Sequence, residues 1–161
     1  MIKFNNSSTA DGIEVASLAR IPIDRNELDI SNIVTLDNTD NTIKFNETGY
    51  YKVSFTISAY PTVHTLDFDP TKDFVSIGFR LVGTDNIYIG GSEWVFNGEA
   101  IELYAQGIIS VVNTNNKYEL VNLGKSSIYL NTPDLNNIAS SSYFSNPLVT
   151  IVIEFLGRQG A

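Results

Sequence analysis

The run Asp67-Phe68-Asp69-Pro70-Thr71-Lys72-Asp73 places carboxylates at its first, third and seventh positions. Hard oxygen ligands at such close spacing are what Ca2+ requires, so Asp67, Asp69 and Asp73 are the candidate metal ligands. The run lacks the glycine and the bidentate glutamate of a helix-loop-helix calcium site, and Lys72 sits among its acids. A solvated acidic loop is the competing reading. Catalysis has less to build on. The single histidine, His64, lies in Pro61-Thr62-Val63-His64-Thr65, and there is no cysteine. Nucleophile–base pairs are thereby reduced to carboxylates and lysines. Two of the eighteen acids could form a glycosidase pair, but nothing in the order of residues selects one. No catalytic residue is assigned, and the chain is expected not to be an enzyme. Gly90-Gly91 is followed by neither a helix nor a lysine, so it reads as a bend in a strand rather than a phosphate loop.

Aromatic side chains offer a different chemistry. Tyr60, Tyr88, Trp94, Tyr129 and Tyr143 could each stack on a sugar ring, and Trp94 and Tyr88 are the candidate ligand-binding residues. Packing on or within a sheet accounts for the same residues without any ligand. Sequons occur at Asn5, Asn6 and Asn46, a frequency that an asparagine-rich chain reaches by chance.

The bulk properties restrict the partners. The chain has 161 residues, 43% of them apolar and 17% charged, which suits one domain (1–161) with a full core. Its net charge of −8 and ten dispersed basic residues argue against nucleic acid and anionic membrane. Met1 to Ala10 has no continuous apolar stretch of the signal-peptide kind, and no segment approaches the length that spans a bilayer. Localisation is not written in the sequence.

The elements that must position these side chains have a period of two. Tyr51, Val53, Phe55 and Ile57 alternate with Lys52, Ser54, Thr56 and Ser58. Successive side chains of a strand point to opposite faces, so the first set enters a core. Val75, Ile77, Phe79 and Leu81 repeat the pattern, as do Ile101, Leu103 and Ala105 against Glu102, Tyr104 and Gln106. Shorter strands are expected at 14–19, 33–36, 42–45, 87–89, 93–96, 118–123 and 127–130, separated by turn sequences such as Glu47-Thr48-Gly49 and Gly83-Thr84-Asp85-Asn86. A short helical turn could form only over 135–142. About ten strands without helices between them describe an all-β sandwich or jelly roll. The closing run, Leu148 to Ile153, is apolar on both faces. One face belongs in the core; the other needs a cover, either a loop or a second copy of the chain.

The segment Phe45-Asn46-Glu47-Thr48-Gly49-Tyr50-Tyr51-Lys52-Val53-Ser54-Phe55 resembles a signature of the tumour-necrosis-factor and complement globular-head jelly rolls. Tyr88-Ile89-Gly90-Gly91 followed by Phe96 to Leu103 is similar to the second half of that pattern, with Glu99 where an aspartate is usual. Val149 to Gly157 matches the terminal strand. Tyr118 to Gly124, then Ser127 to Leu130, resembles the bacterial branch, which includes C-terminal domains of collagen-like spore-surface glycoproteins. The resemblance covers roughly Ile21 to Gly157; no Gly-x-y repeats precede it, and Phe155 matches the terminal aromatic only loosely.

What the resemblance implies is a ten-stranded antiparallel jelly roll, non-enzymatic, assembled as a homotrimer and displayed on a bacterial or phage surface. The C-terminal strand would lie mid-sheet, and that sheet would face its neighbours. The interface would then carry Ser54 and Thr56 beside Lys52, then Glu102, Tyr104 and Gln106, then Leu148, Thr150, Val152 and Leu156. A carbohydrate- or receptor-binding lectin-like role is the alternative. The expected partners are two further copies and a surface protein or glycan. No cofactor is expected beyond the calcium considered above, which some complement-type heads bind near the trimer axis.

Overall fold

The computed structural model describes residues 1–6, 13–23, 25–28, 31–61, 74–95, 101–130 and 149–160. They form twelve strands: β1 (Ile2–Asn6), β2 (Ile13–Val15), β3 (Arg25–Leu28), β4 (Val34–Asp37), β5 (Thr42–Phe45), β6 (Gly49–Pro61), β7 (Phe74–Leu81), β8 (Ile87–Trp94), β9 (Ile101–Val111), β10 (Lys117–Asn122), β11 (Ile128–Leu130) and β12 (Val149–Gly157). All the strand pairs are antiparallel. No described helix is long and apolar enough to cross a membrane.

Two sheets enclose the core. One runs β2-β11-β6-β12-β1-β3, with β9 on the other flank of β6; the second runs β4-β5-β10-β7-β8. The long β6 is the spine of the first, pairing with β9 over Gly49–Ala59 on one side. On the other it meets β12 over Tyr50–Ile57 and then β11 over Ala59–Pro61. As the alternation predicts, Tyr51, Val53, Phe55 and Ile57 are buried, together with Val75, Ile77, Phe79, Leu103 and Ala105. The terminal strand does lie mid-sheet, between β6 and β1.

Aromatic rings tie the sheets together. Phe45 lies 4.6 Å from Tyr51 and 5.1 Å from Tyr118, Tyr118 stacks on Phe79 at 5.7 Å, and Tyr51 meets Phe155 at 5.0 Å. Centroid separations of this kind add to the gain from burial alone. The Tyr51 hydroxyl donates to the Glu47 carbonyl at 2.8 Å. Burial pushes its pKa up to about 12, and the Glu47 carboxylate adds to the shift. Burial also raises Tyr118, opposed by a hydrogen bond from Asn116 and reinforced by the charge of Tyr88. A raised phenol contributes stability that is whole below its unfolded pKa, near 10, and is lost as the pH climbs through the folded value. Alkaline unfolding between about pH 10 and 12 is therefore expected. In a 295-nm titration, Tyr51 and Tyr118 should ionise only as near-ultraviolet dichroism collapses; titration of all eight tyrosines with that signal intact would contradict this.

A second set of contacts fastens the segment after β2 onto β10. Leu18 N–H donates to the Asn122 carbonyl at 2.8 Å, Ile21 N–H to the Leu120 carbonyl at 2.9 Å, and Asn122 N–H to the Ala19 carbonyl at 3.0 Å. Glu119, nearly fully buried, accepts from the guanidinium groups of Arg20 and Arg80. Two cations around one carboxylate are the condition under which a buried charge is tolerated.

Three expectations need correction. The described strands number twelve where about ten were expected: β1 and β3 were not foreseen, and two of the expected strands are one. β1 offers only Ile2 and Phe4 as alternating apolar residues, too short a run for periodicity to detect. The strands expected over 87–89 and 93–96 are one described element, β8, ending at Trp94, since Gly90 and Gly91 pair directly with Gly78 and Ile77 and the ladder runs through them. The strand expected over 14–19 stops at Val15, and its remainder turns to follow β10. The possible helical turn over 135–142 lies outside the described residues.

Candidate interaction surface

The face of the β9-β6-β12-β1 sheet turned away from the core is organised in cross-strand rows. Register places Tyr104, Thr56, Thr150 and Asn5 in one row, and Gln106, Ser54, Val152 and Lys3 in the next. Below them Ile108, Lys52 and Glu154 are aligned, then Ser110 and Tyr50 beside the bulge that contains Leu156. Glu102 stands opposite Ser58 at the other end. Residues directly opposite on neighbouring strands interact, so each row is a physical unit.

The apolar members of this face are well exposed. Tyr104 retains 58% of its surface, Ile108 65% and Leu156 48%, with Tyr50 and Val112 also exposed and Val152 half-buried. Single exposed apolar residues are ordinary; five on or bordering one sheet face, with a valine between them, are a patch of the kind that marks an interface. The Tyr104 hydroxyl donates to Gln106 Oε1 at 2.7 Å, which holds the ring along its own strand. Lys52 and Glu154 are opposite in register in the middle of the patch, so the charged row contains both signs. Among the described residues no group of three or more His, Asp or Glu is placed to hold a metal ion.

No protein-family model matches the sequence, and no curated protein matches it. Solved structures do match. The Eiger TNF of S. frugiperda superposes with a TM-score of 0.67 at 12% identity, covering 99% of this chain and 94% of that one. The fold is a tumour-necrosis-factor-like jelly roll. The globular domain of the zebrafish complement 1qA protein gives 0.63 at 4% identity, covering 98% of each chain. Murine APRIL gives 0.54 at 6%, covering 80% of this chain and 93% of that one.

Within this jelly roll, Ser54, Thr56, Glu102, Tyr104, Gln106, Thr150, Val152 and Leu156 all belong to the outward side of one sheet. Leu148 lies outside the described residues, as do His64 and the candidate calcium ligands Asp67, Asp69 and Asp73. Trp94 and Tyr88 lie elsewhere, on β8 of the other sheet, where both are exposed. Sequence reading missed Tyr50, Ile108, Val112 and Glu154. The signal for Ile108 was available: it continues the alternation of Glu102, Tyr104 and Gln106 once the strand is extended to Val111.

Proposed function

We propose that this chain is a non-enzymatic interaction module that assembles as a homotrimer through the outward face of the β9-β6-β12-β1 sheet. The observation that carries the reading is that face itself: Tyr104, Ile108, Val152 and Leu156 lie on one side of the sheet, and Lys52 is the register partner of Glu154 among them. A face with both charge signs can meet a copy of itself without stranding either charge, whereas a lone buried charge would be costly. The number three rests on the resemblance of Phe45–Phe55 and Val149–Gly157 to trimeric families and on the jelly-roll fold. Obligate interfaces bury about 2,000–5,000 Å² in total, so an isolated chain would be much less stable than the assembly. Display on a bacterial or phage surface is supported by the order of Tyr118–Gly124 and Ser127–Leu130. The lectin-like role stands second, on the exposure of Trp94.

Light scattering at micromolar concentration tests the assembly. The wild-type chain is expected to have the mass of three chains. Val152→Asp introduces a charge into the row between Ser54 and Lys3 and should yield monomers that keep their β-sheet dichroism. Tyr104→Glu makes the same test in the row of Thr56, Thr150 and Asn5, which holds no lysine. A monomeric wild type, or trimers in both variants, would remove the proposal.

A further inference from the structure

Trp94 is the only tryptophan in the chain, and it is kept half in solvent at 50% exposure. It is the last residue of β8, which stands at the end of the described order of its sheet. Register places Trp94 opposite Phe74 on β7, and the rings meet near-perpendicular at 5.9 Å. Cross-strand partners share a face, and Ser92, two residues back on β8, shares it as well. Phe74, Ser92, Glu93 and Trp94 line an open cleft of about 250 Å³.

We infer that this cleft is a subsite for the apolar face of one neutral hexopyranose. Three features select that chemistry. The volume, about 250 Å³, lies just below the usual range of ligand pockets, about 300–1,000 Å³, which suits one sugar ring better than a drug-sized ligand. An indole whose position is set by a neighbouring ring supplies a flat platform for pyranose C–H groups at little entropic cost. The cleft is also not purely apolar: Ser92 and Glu93 can exchange hydrogen bonds with ring hydroxyls. The net charge of −8 disfavours acidic sugars. The inference does not depend on the trimer, since Trp94 belongs to the opposite sheet.

Because no other tryptophan contributes, emission from the intact assembled protein reports the cleft directly. Titration with the methyl glycosides of glucose, galactose, mannose and N-acetylglucosamine is expected to give a saturable change with at least one of them. Calorimetry should show at least a tenfold loss of affinity in Trp94→Ala and a smaller loss in Ser92→Ala, with Trp94→Phe retaining part. Val152→Asp should keep the response, which separates this reading from the trimer. No saturable change with any of the four, or binding indifferent to Trp94→Ala, overturns it. So does a blue-shifted emission that moves red only when the assembly dissociates, since another copy would then occupy the cleft.

Discussion

Gly49→Ala is expected to cost about 3–4 kcal/mol of unfolding free energy, read as a fall in the urea midpoint with little change in slope. Gly49 opens β6 at φ +154°, outside the range that side-chain-bearing residues adopt freely. A Cβ added there would lie 2.5 Å from the Gly157 carbonyl oxygen and 2.7 Å from the Phe155 ring. The oxygen belongs to the backbone of the partner strand, in the ladder that joins Tyr50 to Gly157, so it cannot swing aside without moving β12. Phe155 is held against Tyr51. Gly157 provides the internal control. Its φ is +147°, but an added Cβ meets nothing within 4 Å. Gly157→Ala should therefore show only the backbone strain, about 1 kcal/mol. Equal losses in the two variants would mean that the close approach of β6 to β12 contributes nothing.

The second large effect is expected at Asn122, which is fully buried at the end of β10. Its Nδ2 donates to the carbonyls of Val15 at 3.1 Å, Ala16 at 3.2 Å and Ser126 at 2.9 Å, while its Oδ1 accepts from Gly124 N–H at 2.9 Å. One side chain thus ties β2, the turn that follows it and the turn after β10. Asn122→Leu would leave three carbonyls and an N–H without it, and each unsatisfied buried group costs about 1–3 kcal/mol. A net loss of about 4 kcal/mol allows for partial hydration. Asn122→Asp distinguishes hydrogen bonding from packing, because it keeps the shape and replaces the donor with a charge. A carboxylate among three carbonyls would have its pKa raised, so the variant should be least stable at neutral pH. It should recover as the pH falls and the carboxyl regains a proton to donate. An Asp variant as stable as wild type at pH 7 would show that the donor role is unimportant.

The sandwich was legible in the sequence where strands are long and wet on one face. Tyr51 to Ile57 and Val75 to Phe79 declare their core side by simple alternation. The Asn122 clamp was not legible, because the carbonyls it serves on Val15 and Ala16 lie 107 and 106 residues away. Glu119 reads as a surface acid until Arg20, 99 residues distant, is brought onto it by the segment that follows β2. The interface candidates follow from strand parity, so their grouping on one face was accessible. What parity could not supply was Glu154 as the register partner of Lys52, which depends on the β6–β12 ladder.

The central position of β12 has a consequence for how the molecule is made. β12 pairs with β6 and β1, as in Thr150 with Thr56 and Ile2 with Ile153, so its partners are synthesised long before it is. Contacts so distant in sequence slow folding, because the closure entropy is spent before the pairing is gained. At about 5–20 residues per second, the ribosome leaves β6 with an open flank for several seconds. On a polysome, a neighbouring nascent chain could offer its own strand to that flank. A lower rate of translation initiation, which spaces the ribosomes further apart without delaying the arrival of residues 149–157, should therefore raise the soluble yield.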